Sequence, residues 1–253
     1  MITRLHTLGN DVRRRFEQLR RAEPTVIPMV AAASTLLFLV YIFIALADEI
    51  TEGETQRIDE QILLWFRRVN DHAVPIGPSW LTDGMLDATA LGSPLVLGII
   101  VATASGFLFM EGQRRVAVLT VLATAGGGTA SLILKSLFAR PRPDIVPHLR
   151  QVTSSSFPSG HAMLSAVVYL TIGVMFMKAV RGRRAKTYCL TVAVLLTLLV
   201  GSTRVFLGVH YPSDVLGGWI AGVSWASLCW IIGVFIPTRP IPERSDVPAG
   251  PGA

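Results

Sequence analysis

The chain alternates between long apolar segments and shorter polar ones. Six apolar segments each approach or exceed the roughly 20 residues that a helix needs to cross a hydrocarbon core. They cover residues 25–47, 88–110, 116–134, 161–177, 187–203 and 215–237. No segment carries an ionisable residue at its centre. The pattern predicts an all-α, polytopic membrane protein with six transmembrane helices in one bundle.

The longest polar connection covers residues 48–88 and holds nine of the seventeen carboxylates. Within it, large apolar residues recur at helical spacing and predict a short helix: Ile58, Ile62, Trp65, Phe66 and Val69. Charged residues lie elsewhere around the turn: Asp59, Glu60, Arg67 and Arg68. Such a helix lies in the membrane interface or packs on the bundle, and the pattern leaves both interpretations open.

Glycines inside two of the apolar segments indicate close helix packing. The run Gly126, Gly127 and Gly128 follows no strand and precedes no Lys-Ser or Lys-Thr pair, so it does not fit a phosphate loop. Gly218 and Gly222 have the small-xxx-small spacing that brings membrane helices together.

Composition and charge agree with this class. The chain is 51% hydrophobic and 16% charged, with a mean hydropathy of +0.52, which excludes an ordinary soluble domain. The net charge of +6 comes from basic residues that flank the apolar segments, so it indicates membrane orientation and a bilayer partner rather than a nucleic acid. Cys189 and Cys229 lie inside apolar segments and are expected to be packed thiols.

The basic residues also predict the topology. Fifteen of the twenty-three fall on one side of the six segments, which the positive-inside rule makes cytoplasmic. We therefore expect a cytoplasmic basic segment over 1–24, a membrane domain over 25–237 and a disordered cytoplasmic tail over 238–253. Residues Ala45, Leu46 and Ala47 resemble a signal-peptidase site, but the apolar run and its basic leader are too long, so we expect an uncleaved first helix.

Three polar clusters lie at membrane edges between residues 135 and 214. They run over 135–143, 157–161 and 203–214, with an apolar segment between one cluster and the next. They can therefore meet only at one end of the bundle, the end predicted to be extracytoplasmic.

The clusters contain the groups that a phosphate site needs. Lys135, Arg142 and Arg204 supply cations for phosphate oxygens. Ser159 and Gly160 precede the fourth apolar segment, where free backbone amides and the Ser159 hydroxyl form an anion cradle.

Two histidines are candidates for the chemistry. Asp214 follows His210 by four residues, so its carboxylate is expected to accept a hydrogen bond from one ring nitrogen and leave the other as a nucleophile. His161 is placed to protonate a leaving oxygen. A metal site is not expected, because the cationic clusters lack a His-x-x-x-His or paired-cysteine spacing. No cofactor is predicted.

The clusters resemble the three-part signature of the type 2 phosphatidic acid phosphatase superfamily over residues 85–236. They read K-x6-R-P from Lys135 to Pro143, P-S-G-H from Pro158 to His161, and R-x5-H-x3-D from Arg204 to Asp214. Thr203 stands where the family often has Ser, which keeps the hydroxyl. Soluble vanadium haloperoxidases share these motifs, but six apolar segments argue against that class.

The resemblance implies a metal-independent phosphatase in the inner or plasma membrane, acting on a polyprenyl diphosphate or a phospholipid monoester. His210 would form a phosphohistidine, Asp214 would be its partner and His161 the acid. The phosphate would be bound by Lys135, Arg142, Ser159, Gly160 and Arg204. Two alternatives remain open: a phosphotransferase that uses the same residues, and a non-catalytic lipid-phosphate carrier or binding protein. The pattern does not predict an oligomeric state.

Overall fold

The computed structural model describes residues 26–180 and 182–234. The predicted basic segment 1–24, the tail 238–253 and the end of the sixth apolar segment lie outside these residues. The described part forms eight helices and one small antiparallel sheet. The helices are α1 (Val26–Glu52), α2 (Gln56–Trp65), α3 (Ser79–Ala90), α4 (Pro94–Met110), α5 (Arg114–Phe138), α6 (Gly160–Ala179), α7 (Arg183–Phe206) and α8 (Pro212–Val234). The sheet pairs β1 (Arg67–Arg68) with β2 (Asp71–Pro75).

Most of the predicted spans appear as single long helices. Five described helices are long and apolar enough to cross a membrane, namely α1 and α5 to α8, and the bent pair α3–α4 makes a sixth if it counts as one span. The predicted second span, 88–110, is wrong at its start, since the chain bends by 49° between α3 and α4. Ser93 caps α4 by accepting a hydrogen bond from the amide of Val96 at 3.3 Å, and Pro94 opens the helix.

The bend at 91–93 serves close packing against the other helices. A Cβ atom on Gly92 would collide with Val200 of α7 and approach the Cδ2 atom of His161 to 3.2 Å. Only glycine lets the α3–α4 junction lie this close to the start of α6.

Helix α6 lies at the centre of the bundle and packs against both α7 and α8. The predicted packing role of Gly218 and Gly222 is confirmed. A Cβ atom on either glycine would come within 2.6 Å of a backbone carbonyl oxygen of the α6 region, that of Ser159 or of Met163. The ring of Trp225 occupies the equivalent space beside Gly126 and Gly127, so that prediction is confirmed too.

The polar connection 48–88 is more ordered than its sequence indicates. Helix α2 forms, but it ends at Trp65, before the last residue of the predicted apolar face, Val69, which lies in the hairpin. The predicted face is also wrong in part, because the helix packs on the bundle through Leu63, which is fully buried. Asp59 is buried on the same side, whereas Ile58 and Trp65 are exposed. The β1–β2 hairpin that follows was not predicted, and a register irregularity lies between its two residue pairs.

Helix α1 continues to Glu52, five residues beyond the predicted end of the first span. Ala47 and Ile50 are buried in its last part, where they pack with Phe157 of the loop before α6. The Ala-Leu-Ala triplet thus lies inside a helix that packs on the bundle.

Candidate active site

The predicted site residues come from helix ends that alternate in direction. Lys135 is in the last turn of α5, His161 in the first turn of α6, Arg204 in the last turn of α7 and Asp214 in the first turn of α8. The C-terminal ends of α5 and α7 and the N-terminal ends of α6 and α8 therefore meet at one end of the bundle. The α7–α8 loop adds His210 to this end.

His210 and Asp214 are adjacent and buried. The Nδ1 atom of His210 lies 3.5 Å from Oδ2 of Asp214. The two groups are therefore neighbours, as predicted, but this distance is long for a direct hydrogen bond. The hydroxyl of Ser156 bridges them: its Oγ lies 3.3 Å from Nδ1 and donates a short hydrogen bond to Oδ2. The amide of Tyr211 also donates to Oδ2, at 2.8 Å.

The other ring nitrogen of His210 faces a guanidinium. Nη1 of Arg142 lies 3.2 Å from Nε2 of His210. A guanidinium has no acceptor, so Nε2 accepts this hydrogen bond and the ring proton resides on Nδ1. Nδ1 therefore donates toward Ser156 and Asp214, and Nε2 keeps the lone pair that a nucleophile needs.

His210 is neutral at physiological pH. Burial lowers its pKa to about 3, although the carboxylate of Asp214 opposes this shift, and the cations of Arg142 and Arg204 add to it. Because the ring is 1% exposed, the cost of burying its charged form dominates.

Arg142 is held in place by three carbonyl and hydroxyl groups as well as by His210. Its Nε donates to the carbonyl oxygen of Ser154 at 2.6 Å, its Nη2 to the hydroxyl of the same residue at 3.1 Å, and its Nη1 to the carbonyl oxygen of Val209 at 2.5 Å. The guanidinium thus joins the loop before α6 to the loop that carries His210.

Several buried polar atoms at this end have no partner. Among the described residues, six buried side-chain nitrogen or oxygen atoms lack a hydrogen bond, and three of them belong to Ser159 (Oγ), His161 (Nε2) and Arg204 (Nε). Unpaired buried polar groups are costly. Two of them belong to predicted phosphate ligands, Ser159 and Arg204, and one to the predicted acid, His161, so the site has unused hydrogen-bonding capacity where a phosphate group is expected.

Lys135 and Gly160 lie side by side, as the phosphate-cradle interpretation requires. Nζ of Lys135 donates to the carbonyl oxygen of Ser155 at 2.6 Å, and a Cβ atom on Gly160 would lie 3.5 Å from Cε of Lys135. One detail of the predicted cradle is wrong: the amide of Ser159 is not free, since it donates to the backbone oxygen of Asp214 at 2.9 Å. The amides of Gly160 and His161, in the first turn of α6, have no intrahelical acceptor.

Sequence reasoning missed Thr89. Its fully buried hydroxyl accepts a hydrogen bond from Nη1 of Arg204 at 2.9 Å and so orients the guanidinium. Thr89 lies in α3, far from the three motifs in sequence, and nothing in its local pattern distinguishes it from other helical threonines.

Arg140 was also missed as a site residue. Its Nη1 donates to Oδ1 of Asp214 at 2.7 Å and its Nη2 to Oδ2 of Asp59 at 3.0 Å. Burial disfavours its charge, but these two carboxylates outweigh that cost and raise its pKa. The repeated Arg-Pro of residues 140–143 was the available signal, since it offers two guanidiniums where the motif needs one.

No group of three or more His, Cys, Asp or Glu side chains within 26–180 and 182–234 is arranged to hold a metal ion. The charged groups nearest to His210 on its Nε2 side are cations, which suit an anionic ligand.

Comparisons with known proteins show the family to which the chain is related. A family model described as the PAP2 superfamily matches residues 116–236, which include all eight predicted site residues. Phosphatidylglycerophosphatase B of Bacillus subtilis (strain 168) is 34% identical over 189 residues, covering 74% of this chain and 88% of that protein. A lipid A 1-phosphatase of Rhizobium etli is 32% identical over 110 residues, covering 40% of this chain and 43% of that protein.

A solved structure is also similar. The crystal structure of a transmembrane PAP2 type phosphatidylglycerolphosphate phosphatase from Bacillus subtilis superposes with a TM-score of 0.72 at 31% identity, covering 80% of this chain and 98% of that one. The predicted class, an all-α membrane-spanning bundle, is thereby confirmed.

Proposed function

This chain belongs to the PAP2 superfamily and is a membrane phosphatase of lipid phosphates, and we propose that it works through a phosphohistidine on His210 without a metal ion. The observation that carries the proposal is the state of His210. The ring is neutral, its proton is on Nδ1, and its Nε2 lone pair is directed toward the cations.

The first step forms a nitrogen–phosphorus bond. Nε2 of His210 attacks phosphorus, the bond from phosphorus to the leaving oxygen breaks, and that oxygen takes the bonding electron pair. The ring becomes positively charged, and Ser156 and Asp214 stabilise it through Nδ1. The cations Lys135, Arg142 and Arg204 stabilise the equatorial oxygens, on which the transition state carries its charge.

His161 supplies the proton that the leaving oxygen needs. Its Nε2 atom is buried at this end of the bundle without a hydrogen-bond partner, so it can donate to an oxygen of a bound phosphate ester. In the second step a water molecule attacks phosphorus and breaks the bond to Nε2. His161 takes the proton of that water, inorganic phosphate leaves, and His210 is neutral again.

The substrate is an outer-leaflet lipid with a terminal phosphate group, either a phospholipid monoester or a polyprenyl diphosphate. The relative from Bacillus subtilis, phosphatidylglycerophosphatase B, supports the monoester. The distribution of basic residues supports an extracytoplasmic site in the inner or plasma membrane, with both termini in the cytoplasm.

Phosphate release by the purified protein in detergent tests this proposal. The panel contains lipid monophosphates and diphosphates, and EDTA is present throughout. We expect release from at least one lipid in wild type and in His72→Ala, an exposed histidine on β2, and none in His210→Ala. Release that requires added metal ion, or activity retained in folded His210→Ala, would contradict the mechanism.

A further inference from the structure

Behind the nucleophile lies a buried charge network that reaches into the extracytoplasmic connection. Asp214 uses Oδ2 for Ser156 and Tyr211 on the His210 side and Oδ1 for Nη1 of Arg140. The other end of that guanidinium meets Asp59 of α2. The network therefore runs from His210 through Asp214 and Arg140 to Asp59. His210 and Asp59 are 151 positions apart in the chain.

Asp59 is fixed at both oxygens. Its Oδ1 accepts from the backbone amide of Ser213 at 2.9 Å, and its Oδ2 accepts from the hydroxyl of Ser213 at 2.5 Å as well as from Arg140. Asp59 is 2% exposed, although it stands on a helix that otherwise shows solvent-facing charges. A carboxylate this deeply buried is retained only where it is paired.

Arg140 is equally constrained. Its guanidinium donates to Ser213 at 2.8 Å and lies 4.4 Å above the ring centre of Tyr211. It is 9% exposed, so water screens its charge weakly.

The charges determine what this arrangement does for His210. Asp214 and Arg140 alone would be a neutral pair, and a neutral pair stabilises an imidazolium poorly. The second carboxylate, Asp59, makes the network net negative by one unit. On the opposite face, Nη1 of Arg142 lies 3.2 Å from Nε2 of His210, and the charges of Arg142 and Arg204 both oppose positive charge on the ring.

We propose that Asp59 is a positioning residue of the reaction: it acts through Arg140 on Asp214, holds that carboxylate toward His210, and keeps a net negative charge behind the ring while the ring becomes positive. This inference rests on the proposed role of His210 as nucleophile. Asp59 lies outside the residues 116–236 that the family model matches, so the motifs do not include it.

Two substitutions at Asp59 separate this electrostatic role from a packing role. Asp59→Asn keeps the shape and removes the charge, whereas Asp59→Glu keeps the charge and adds a methylene group to a buried site. If Asp59 only packs, Asp59→Glu is the more damaging change. If its charge acts on His210, Asp59→Asn lowers kcat by about tenfold or more, the effect of losing one hydrogen bond to a charged group, and Asp59→Glu lowers it less.

The experiment measures kcat and KM in mixed micelles with the lipid that wild type hydrolyses fastest. Asp83→Asn is the matched control, because it removes one exposed carboxylate from the same end of the protein. We expect a KM within about twofold of wild type in every variant, because Asp59 does not face the phosphate side. A kcat of Asp59→Asn equal to that of wild type, or lower for Asp59→Glu than for Asp59→Asn, would overturn the inference.

A double variant covers the case in which Asp59→Asn does not fold. Asp59→Asn with Arg140→Gln leaves only Asp214 charged, so the net charge behind His210 is that of wild type and no buried cation is unpaired. We expect a kcat within about tenfold of wild type, and a loss beyond about a hundredfold would contradict the charge argument. Inactivity of wild type on all lipids, or an active His210→Ala, would instead refute the proposed function itself.

Discussion

Nη1 of Arg142 lies 3.2 Å from Nε2 of His210, the atom proposed to attack phosphorus. A residue that can only donate thus occupies the lone pair of the nucleophile. This contact sets the tautomer of His210. When Nε2 attacks phosphorus, the guanidinium of Arg142 can donate to a phosphate oxygen instead of to Nε2. In the proposed mechanism the same side chain therefore prepares the nucleophile and binds the phosphate that the nucleophile attacks.

Arg142→Lys tests this double role. A lysine keeps the positive charge but cannot donate at once to His210, Val209 and Ser154. We expect kcat/KM to fall about a hundredfold, measured by phosphate release. Arg68→Lys, at an exposed arginine on β1, should match wild type. A loss of less than about threefold in Arg142→Lys would show that charge alone is sufficient.

Ser156→Ala tests the bridge between His210 and Asp214. Without the hydroxyl, Nδ1 of His210 has only the carboxylate oxygen 3.5 Å away, and the ring loses orientation. We expect kcat to fall about tenfold with KM unchanged. The control is Ser136→Ala, whose hydroxyl bonds only within α5. Unchanged kcat in Ser156→Ala would mean that Asp214 orients the ring directly.

Thr89→Val tests the support of Arg204. Valine is close in shape to threonine but removes the acceptor for Nη1 of a guanidinium whose Nε already has no partner. We expect kcat/KM to fall about tenfold and stability to fall by about 1–3 kcal/mol, the usual cost of an unsatisfied buried group. Thr129→Val changes an exposed hydroxyl that bonds within α5 and should alter neither quantity.

The lowered pKa of His210 predicts how stability depends on pH. The unfolded ring titrates near 6.5, whereas the folded ring titrates at about 3. The contribution of His210 to the free energy of unfolding is therefore complete above about pH 6.5. It is lost as the pH falls toward 3, because over this range only the unfolded state binds the proton. The slope is about 1.4 kcal/mol per pH unit.

The measurement is thermal unfolding in detergent between pH 7 and pH 4 for wild type and His210→Gln. We expect the glutamine variant to lose less stability on acidification than wild type does. His72→Gln removes an exposed histidine and should follow wild type. Parallel curves for wild type and His210→Gln would contradict the lowered pKa.

Labelling with an impermeant thiol reagent tests which side of the membrane holds the site. Val69 is 91% exposed in the hairpin next to the site, where Arg67 donates to the carbonyl oxygen of Phe206 at 2.9 Å. Glu111 lies in the α4–α5 turn at the other end of α5. With Cys189 and Cys229 replaced, Val69→Cys should be labelled in intact cells and Glu111→Cys only after lysis. The reverse result would put the site in the cytoplasm.

Much of the fold and of the site could be predicted from the sequence. Long apolar segments require helices in a bilayer, because only a helix satisfies its own backbone there. Once the segments alternate in direction, clusters that border consecutive segments must meet at one end. Motifs with fixed internal spacing then indicate which side chains bear the chemistry.

The remaining elements were decided by tertiary packing. The hydropathy of the segment does not predict the bend at 91–93, because the bend depends on the close packing of Gly92 against α6 and α7. Asp59 has the local pattern of a solvated charge, and only the position of Arg140, 81 residues away, makes it a buried one.

The sequence by itself determined the membrane class, most of the long helices and the three motifs proposed to be catalytic, since these follow from apolar length and local spacing. Only the tertiary structure decided that Ser156 and Arg142 contact His210, that Arg140 holds Asp214, and that Thr89 holds Arg204. The physical reason is that a buried polar group must find a partner, and the partner that satisfies it is a property of the packed helices rather than of its own segment.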